Sequence, residues 1–245
     1  MNAALRAYGL MLRWQFLRMR RQIVLFVVIQ IVLALGVVYG LAFLLPEIDA
    51  RSALFFATGA PTLTLLLLGL TVVPQEIAQG KVSGRLAYLA TLPVPRLAAP
   101  AAELTFWLLV QLPGTVLALA VAAARFDFGL SVSPAAVPAV ILVALCGAAV
   151  GFGLAMIAKP QTTQQLSSFV AIGLLLFSPI NFPIDRLPDA LAAVHRALPV
   201  TYMADLVRWS LTGRSIENVA LAFAVVAVWS AAGVALSWRV ATRRA

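Results

Sequence analysis

The chain has 245 residues, of which 62% are hydrophobic and only 11% are charged. Soluble domains run near 45–50% apolar and about 25% charged, so the composition excludes an ordinary soluble domain and describes a polytopic, all-α membrane protein. The net charge of +9 would point to nucleic acid in a soluble chain. Here the basic residues flank apolar runs, where they meet lipid headgroups, and no nucleic-acid partner is expected.

The predicted elements follow in order. Residues 3–21 place Leu5, Tyr8, Leu12, Phe16 and Met19 at helical spacing, with Arg6, Arg13 and Arg20 on an adjoining face. That pattern predicts an amphipathic interfacial helix, with arginines for anionic headgroups or for a cytosolic partner. The first span follows at about 22–45. Its 24 residues would rise about 36 Å, and it should stay in place as a span rather than be removed as a signal peptide. Further spans are expected at about 53–73, 97–123, 134–158, 163–177 and 216–238, with a polar loop over 74–96. Gly147, Gly151 and Gly153 give the fourth span a small-residue face for close helix packing. The single cysteine, Cys146, lies inside that span and can form no intrachain disulfide.

Six spans put both termini on one side. The N-terminal segment, the 74–96 loop, Lys159 and the tail hold twelve of the eighteen basic residues, and seven of the nine acids fall on the other side. The positive-inside rule then places both termini and the 74–96 loop in the cytoplasm, with residues 178–212 facing outward. This last stretch carries Pro179, Pro183, Pro188 and Pro199, while Leu187, Leu191, Val194 and Leu198 recur at helical spacing. It reads as two short amphipathic helices forming a re-entrant hairpin between spans five and six, which is allowed at membrane depth where protein or water satisfies the backbone.

Chemistry-bearing patterns are few. His195 is the only histidine, so a histidine-based metal site or a Ser–His–Asp triad has little to build on, and no metal site is expected. Gly80-Lys81 suggests a phosphate loop, but position 75 is Gln and position 82 is Val, where that motif needs Gly and Ser or Thr. Glu103, about two turns into the third span, is the one acid inside a span. An intramembrane acid is a functional candidate by default, and a structural ion pair with Arg13 or Arg96 is the alternative. With so few ionisable groups in the spans, a proton- or sodium-coupled relay is disfavoured. The residues alone leave open a six-span secondary transporter or an integral membrane enzyme.

Three segments together carry a resemblance. The first is the N-terminal amphipathic helix. The second is the loop with Glu76, Gly80-Lys81-Val82, Leu86, Leu89 and Thr91-Leu92-Pro93-Val94-Pro95-Arg96. The third is the hairpin with Asn181-Phe182-Pro183, Leu187-Pro188, Leu198-Pro199, Tyr202 and Arg208. With these the chain resembles the permease subunit of ABC-2 type ATP-binding-cassette exporters over nearly its whole length. One departure is Ser83, where many members carry a second acid after the glycine step. The resemblance implies a transport subunit of a plasma membrane, bacterial in kind, without an ATP site of its own. Two ATPase subunits holding ATP and Mg would supply energy, and a second permease chain, identical or paralogous, would complete the path. Glu76, Gly80, Lys81, Arg85 and Leu86 would engage the ATPase, with Lys81 and Arg85 facing an acidic surface. Glu103, Asn181, Phe182, Pro183, Tyr202, Asp205 and Arg208 would line or gate the path, Arg208 pairing with Asp205 or Asp189. A drug-like or lipid-like amphipathic cargo is expected from the apolar span faces, and a polysaccharide or glycolipid is the alternative. Of the five tryptophans, most are expected at the interfaces.

Overall fold

The computed structural model describes residues 3–40, 43, 50–126, 131–213 and 218–243. The acidic turn expected after the first span lies largely outside them. All regular structure among the described residues is helical: α1 (Ala3–Leu35), α2 (Ala50–Leu67), α3 (Val73–Val82), α4 (Arg85–Thr91), α5 (Ala98–Arg125), α6 (Ala136–Ile157), α7 (Pro160–Phe177), α8 (Asp189–Ala197), α9 (Pro199–Thr212) and α10 (Val219–Arg243).

Two expected boundaries move. No break separates an interfacial helix over 3–21 from the first span, because α1 runs unbroken through Arg20, Arg21 and Gln22. Neither proline nor glycine occurs between Gly9 and Gly36, and arginine and glutamine are good helix formers. Its apolar stripe is used inside the protein. Met19 is fully buried, Phe16 meets Phe106 edge-on at 5.0 Å, and the Tyr8 hydroxyl donates to Thr105 Oγ1 at 3.0 Å.

The second boundary is the end of span two. Helical structure continues over Ser52–Val82, so residues 74–82 of the expected loop prolong the same helix. A proline interior to a helix removes a donor and clashes one turn back. Here a wide π turn over Leu68–Val72 precedes Pro74, the kind of local adjustment that absorbs such a clash. The chain reverses only at Ser83-Gly84, where Gly84 takes a left-handed φ of 73° that glycine adopts without steric cost.

Among the described residues, five helices are long and apolar enough to cross a membrane: Ala3–Gly40, Ser52–Val82, Ala98–Arg125, Ala136–Ile157 and Val219–Arg239. The helix at the expected fifth span, α7, has 18 residues but opens with the polar run Gln161 to Ser168, which lowers its mean hydropathy. Helix α6 is central. It packs on α10, on α2 and α3 through the π turn, on α5 and on α9. The small-residue face works as read. A Cβ on Gly69 would lie 2.6 Å from the Gly147 carbonyl carbon, and one on Gly233 equally close to that of Ala149. Any larger residue there would push two helices apart.

Buried apolar side chains form two clusters stacked along the helices. One joins Phe26, Ile77, Phe106, Trp107 and Phe152 near the 74–96 segment. The other joins Leu54, Leu63, Ile180, Met203 and Leu206 near the 178–212 segment.

Candidate functional site

Glu103 organises the end near residues 74–96. It lies in the second turn of α5, 5% exposed. Arg85 Nη1 donates to its Oε2 at 2.9 Å, and Gln15 Nε2 donates to its Oε1 at 2.8 Å. Trp107 Nε1, one turn on, reaches the same Oε1 at 3.4 Å. The carboxylate therefore ties α4 and α1 to α5. Its cation is Arg85, not Arg13 or Arg96, both of which are exposed. The reason is the Ser83-Gly84 reversal, which folds α4 back along α3. Arg85 crosses directly over Gly80, where a Cβ would stand 2.5 Å from Nη2, and that nitrogen donates to the Glu76 carbonyl at 3.3 Å. Gly80 is thus the cradle that lets Arg85 reach Glu103. The Glu76 carboxylate faces Arg18 of α1 at 3.7 Å.

Lys81 also turns inward. Its Nζ donates to the carbonyls of Ala155, of Met156 at 3.0 Å and of Ala158 at 2.8 Å. These are orphan acceptors at the C-terminus of α6, where a cation complements the helix dipole. Leu86 packs against the apolar cluster below. Lys81 and Arg85, expected to face an acidic partner, both have partners within the chain.

A second cluster lies at the far end of the helix Ser52–Val82. Arg208 of α9 is 7% exposed. Its Nη1 donates to Asp205 Oδ1 at 2.7 Å, Nη2 to the Ile180 carbonyl at 3.1 Å and Nε to Thr58 Oγ1 at 3.3 Å. The guanidinium lies 3.9 Å from the Phe55 ring centroid, within cation–π range. Asp205 is its acid, and Asp189 is exposed. Asn181 is buried and packs on Gly59, while Phe182 and Pro183 are half-buried. The Tyr202 hydroxyl donates to the Arg196 carbonyl at 3.1 Å, joining α9 to α8. Arg6, Arg13 and Arg20 are all exposed along α1.

Against this geometry the comparison with known families is decisive. The model of the family described as ABC-2 type transporter matches residues 6–212, which takes in both clusters. The chain belongs to the ABC-2 type transporter family. It is a membrane permease of an ABC transporter. No curated protein matches the chain.

Some residues of this permease's clusters escaped the sequence. Gln15, Trp107, Thr58 and Phe55 were unassigned, although a signal existed for part of them. Glu103, Trp107, Gln111 and Thr115 recur every four residues on α5, and each links to the one before through a hydrogen bond. Such a spacing marks one face of a helix. Gln30 of α1 reaches the same seam, donating to the Val110 carbonyl at 3.4 Å. Trp107 is wholly buried, stacked at a tilt on Phe26 at 5.4 Å.

Proposed function

We propose that this permease exports a drug-like or lipid-like amphipathic compound, driven by two separate ATPase subunits that engage residues 74–96 from the cytoplasm. A second permease chain, identical or paralogous, completes the path. In this reading α7 is a sixth span and both termini are cytoplasmic. Support for α7 comes from Phe169, Ile172 and Leu176, which are 80%, 56% and 63% exposed, far more apolar surface than a water-facing helix ordinarily shows. Residues 178–212 then face outward and shape the exit.

The observation that carries this reading is the Arg85–Glu103 pair. It fastens the segment that would receive a push to a helix that crosses the membrane. The helix Ser52–Val82 carries Glu76 and Gly80 at one end and Thr58 at the other, eighteen residues apart from Thr58 to Glu76, or about 27 Å. A displacement of 74–96 has a rigid route to the Arg208 cluster. For the cargo, the support is that Trp107 is wholly buried against Phe26 and Phe106, which leaves it unavailable for stacking on sugars.

The test is to purify the tagged chain from its native membranes and to measure export by the wild type, Glu76→Ala and Gly80→Leu. An ATPase should co-purify, and both variants should lose most of their transport. If no ATPase is recovered and both variants transport normally, the reading fails.

A further inference from the structure

A cavity of about 620 Å³ lies where α4 and residues 92–96 fold back over the ends of α5 and α6. That volume is in the range of sites for small ligands, about 300–1,000 Å³. Its wall is apolar over Leu86, Leu89, Leu92, Phe152 and Met156. Phe152 and Met156 belong to the last two turns of a span, at 3% and 7% exposure, so the cavity reaches inward from the membrane boundary. Around its mouth Val82 and Ile157 are 67% and 58% exposed, an apolar rim suited to lipid rather than water.

The charges of the lining have one sign left over. Lys81, Arg96 and Lys159 stand against Glu103 alone. Glu103 is neutralised by Arg85, and Lys81 is spent on the α6 carbonyls. The side chains of Arg96 and Lys159 are exposed and make no hydrogen bond or ion pair among the described residues. A ligand complementary to this site has an anionic head for two cations and an apolar tail for the wall. An acidic protein segment would match the cations but not the apolar depth.

We propose that the cavity binds one anionic phospholipid of the adjoining leaflet, its phosphate at Arg96 and Lys159 and an acyl chain against Phe152 and Met156. The lipid touches both α4 and α6, so it braces the 74–96 segment against a span. The inference does not depend on which ATPase or cargo the permease serves.

The experiment uses the full-length chain in native membranes, with whatever partners it assembles with in place. Phosphatidylglycerol and phosphatidylcholine carrying the same diazirine acyl chain are photo-crosslinked, and labelled peptides are mapped. Phosphatidylglycerol should label peptides within 86–100 and 152–160 well above phosphatidylcholine. Each rim cation should account for roughly fivefold of that preference, so Arg96→Gln and Lys159→Gln together should abolish it. Both side chains are exposed and unpaired, so the double variant should fold, and Ala99→Trp, which fills the cavity, should remove the label by a separate route. Equal labelling by both lipids, label confined to other surfaces, a preference unchanged in the double variant, or a partner protein crosslinked in the lipid's place would each overturn the proposal.

Discussion

Two buried arginines sit at opposite ends of the helix Ser52–Val82, and they are held in different ways. Arg208 finds its acid on its own helix, three residues back at Asp205. Its ties to other elements are neutral: the Thr58 hydroxyl, the Ile180 carbonyl and the Phe55 ring. Arg85 finds its acid eighteen residues away on another helix, and both side chains are under 10% exposed. The i,i+3 pair can form in α9 alone, whereas the Arg85–Glu103 pair exists only when α4 is folded back against α5. One cluster anchors a folded segment. The other is a joint whose two charges report whether two elements are docked.

The sharpest way to break this comparison is to remove Arg85. Arg85→Ala leaves Glu103 buried without its cation, a change that costs about 3–5 kcal/mol when one partner of a buried pair is lost. Glu103→Gln in the same chain should recover much of that, because the uncompensated charge is then gone and Gln15 and Trp107 keep an acceptor. A double-mutant cycle on unfolding measures the coupling. A coupling near zero would mean that the two charges are not a joint. Transport should fail in both variants, since restored stability does not restore the tie between α4 and α5.

At the other end the test is Arg208→Lys. Lysine keeps the positive charge and can stay near Asp205, but it lacks the planar fork that meets three partners at once. The expected loss is about 2 kcal/mol, with the membrane-inserted chain intact, because a buried charged hydrogen bond is worth about 1.5–3 kcal/mol. Arg208→Ala should cost more and reduce export. If lysine were as good as arginine, the neutral ties to Thr58 and Ile180 would carry no weight and the comparison would collapse to two equivalent ion pairs.

These contrasts show what the sequence could and could not say. The helical membrane fold was legible from composition, and the small-residue face of α6 from Gly147 and Gly151, because both follow from local chemistry. Asp205 was legible as one of two candidate partners for Arg208, with Asp189 the other, since three residues separate the pair. Glu103 stood out as a buried acid, but its partner did not. Arg85 reaches it only through the reversal at Gly84 and the open space over Gly80, and neither is visible before the chain is folded. The contact of Lys81 with the α6 carbonyls is tertiary in the same way. No backbone break marks the expected boundary at 21–22, because a change in hydropathy need not be a change in backbone.

Lys81 sharpens the distinction further. It belongs to the joint end but caps the backbone carbonyls that end α6, so it should behave as an anchor. Lys81→Met keeps the length of the stem and removes the charge. The expected loss is about 1–2 kcal/mol from the α6 C-terminus, and no coupling to Glu103 should appear in a cycle with Glu103→Gln. Measurable coupling would make Lys81 part of the joint.

The smallest expected effect separates the two ends by pH. His195 is the only histidine in the chain and lies in α8, at the Arg208 end. Burial disfavours its charged form and pushes its pKa below the ordinary value, while a backbone contact with Phe177 acts the other way and is the lesser effect. The unfolded chain then binds more protons than the folded one as pH falls through the ordinary histidine pKa of about 6.5. Stability from this group is complete above that value and is lost as pH drops toward the lowered folded pKa. The thermal midpoint of the permease should therefore fall between pH 7.5 and 5.5, and His195→Gln should flatten the profile by the imidazole's share. An unchanged profile in the glutamine variant would mean that the ring is fully solvated and that α8 is held without it, through the bonds of Tyr202 to Arg196 and of Thr201 to the His195 carbonyl.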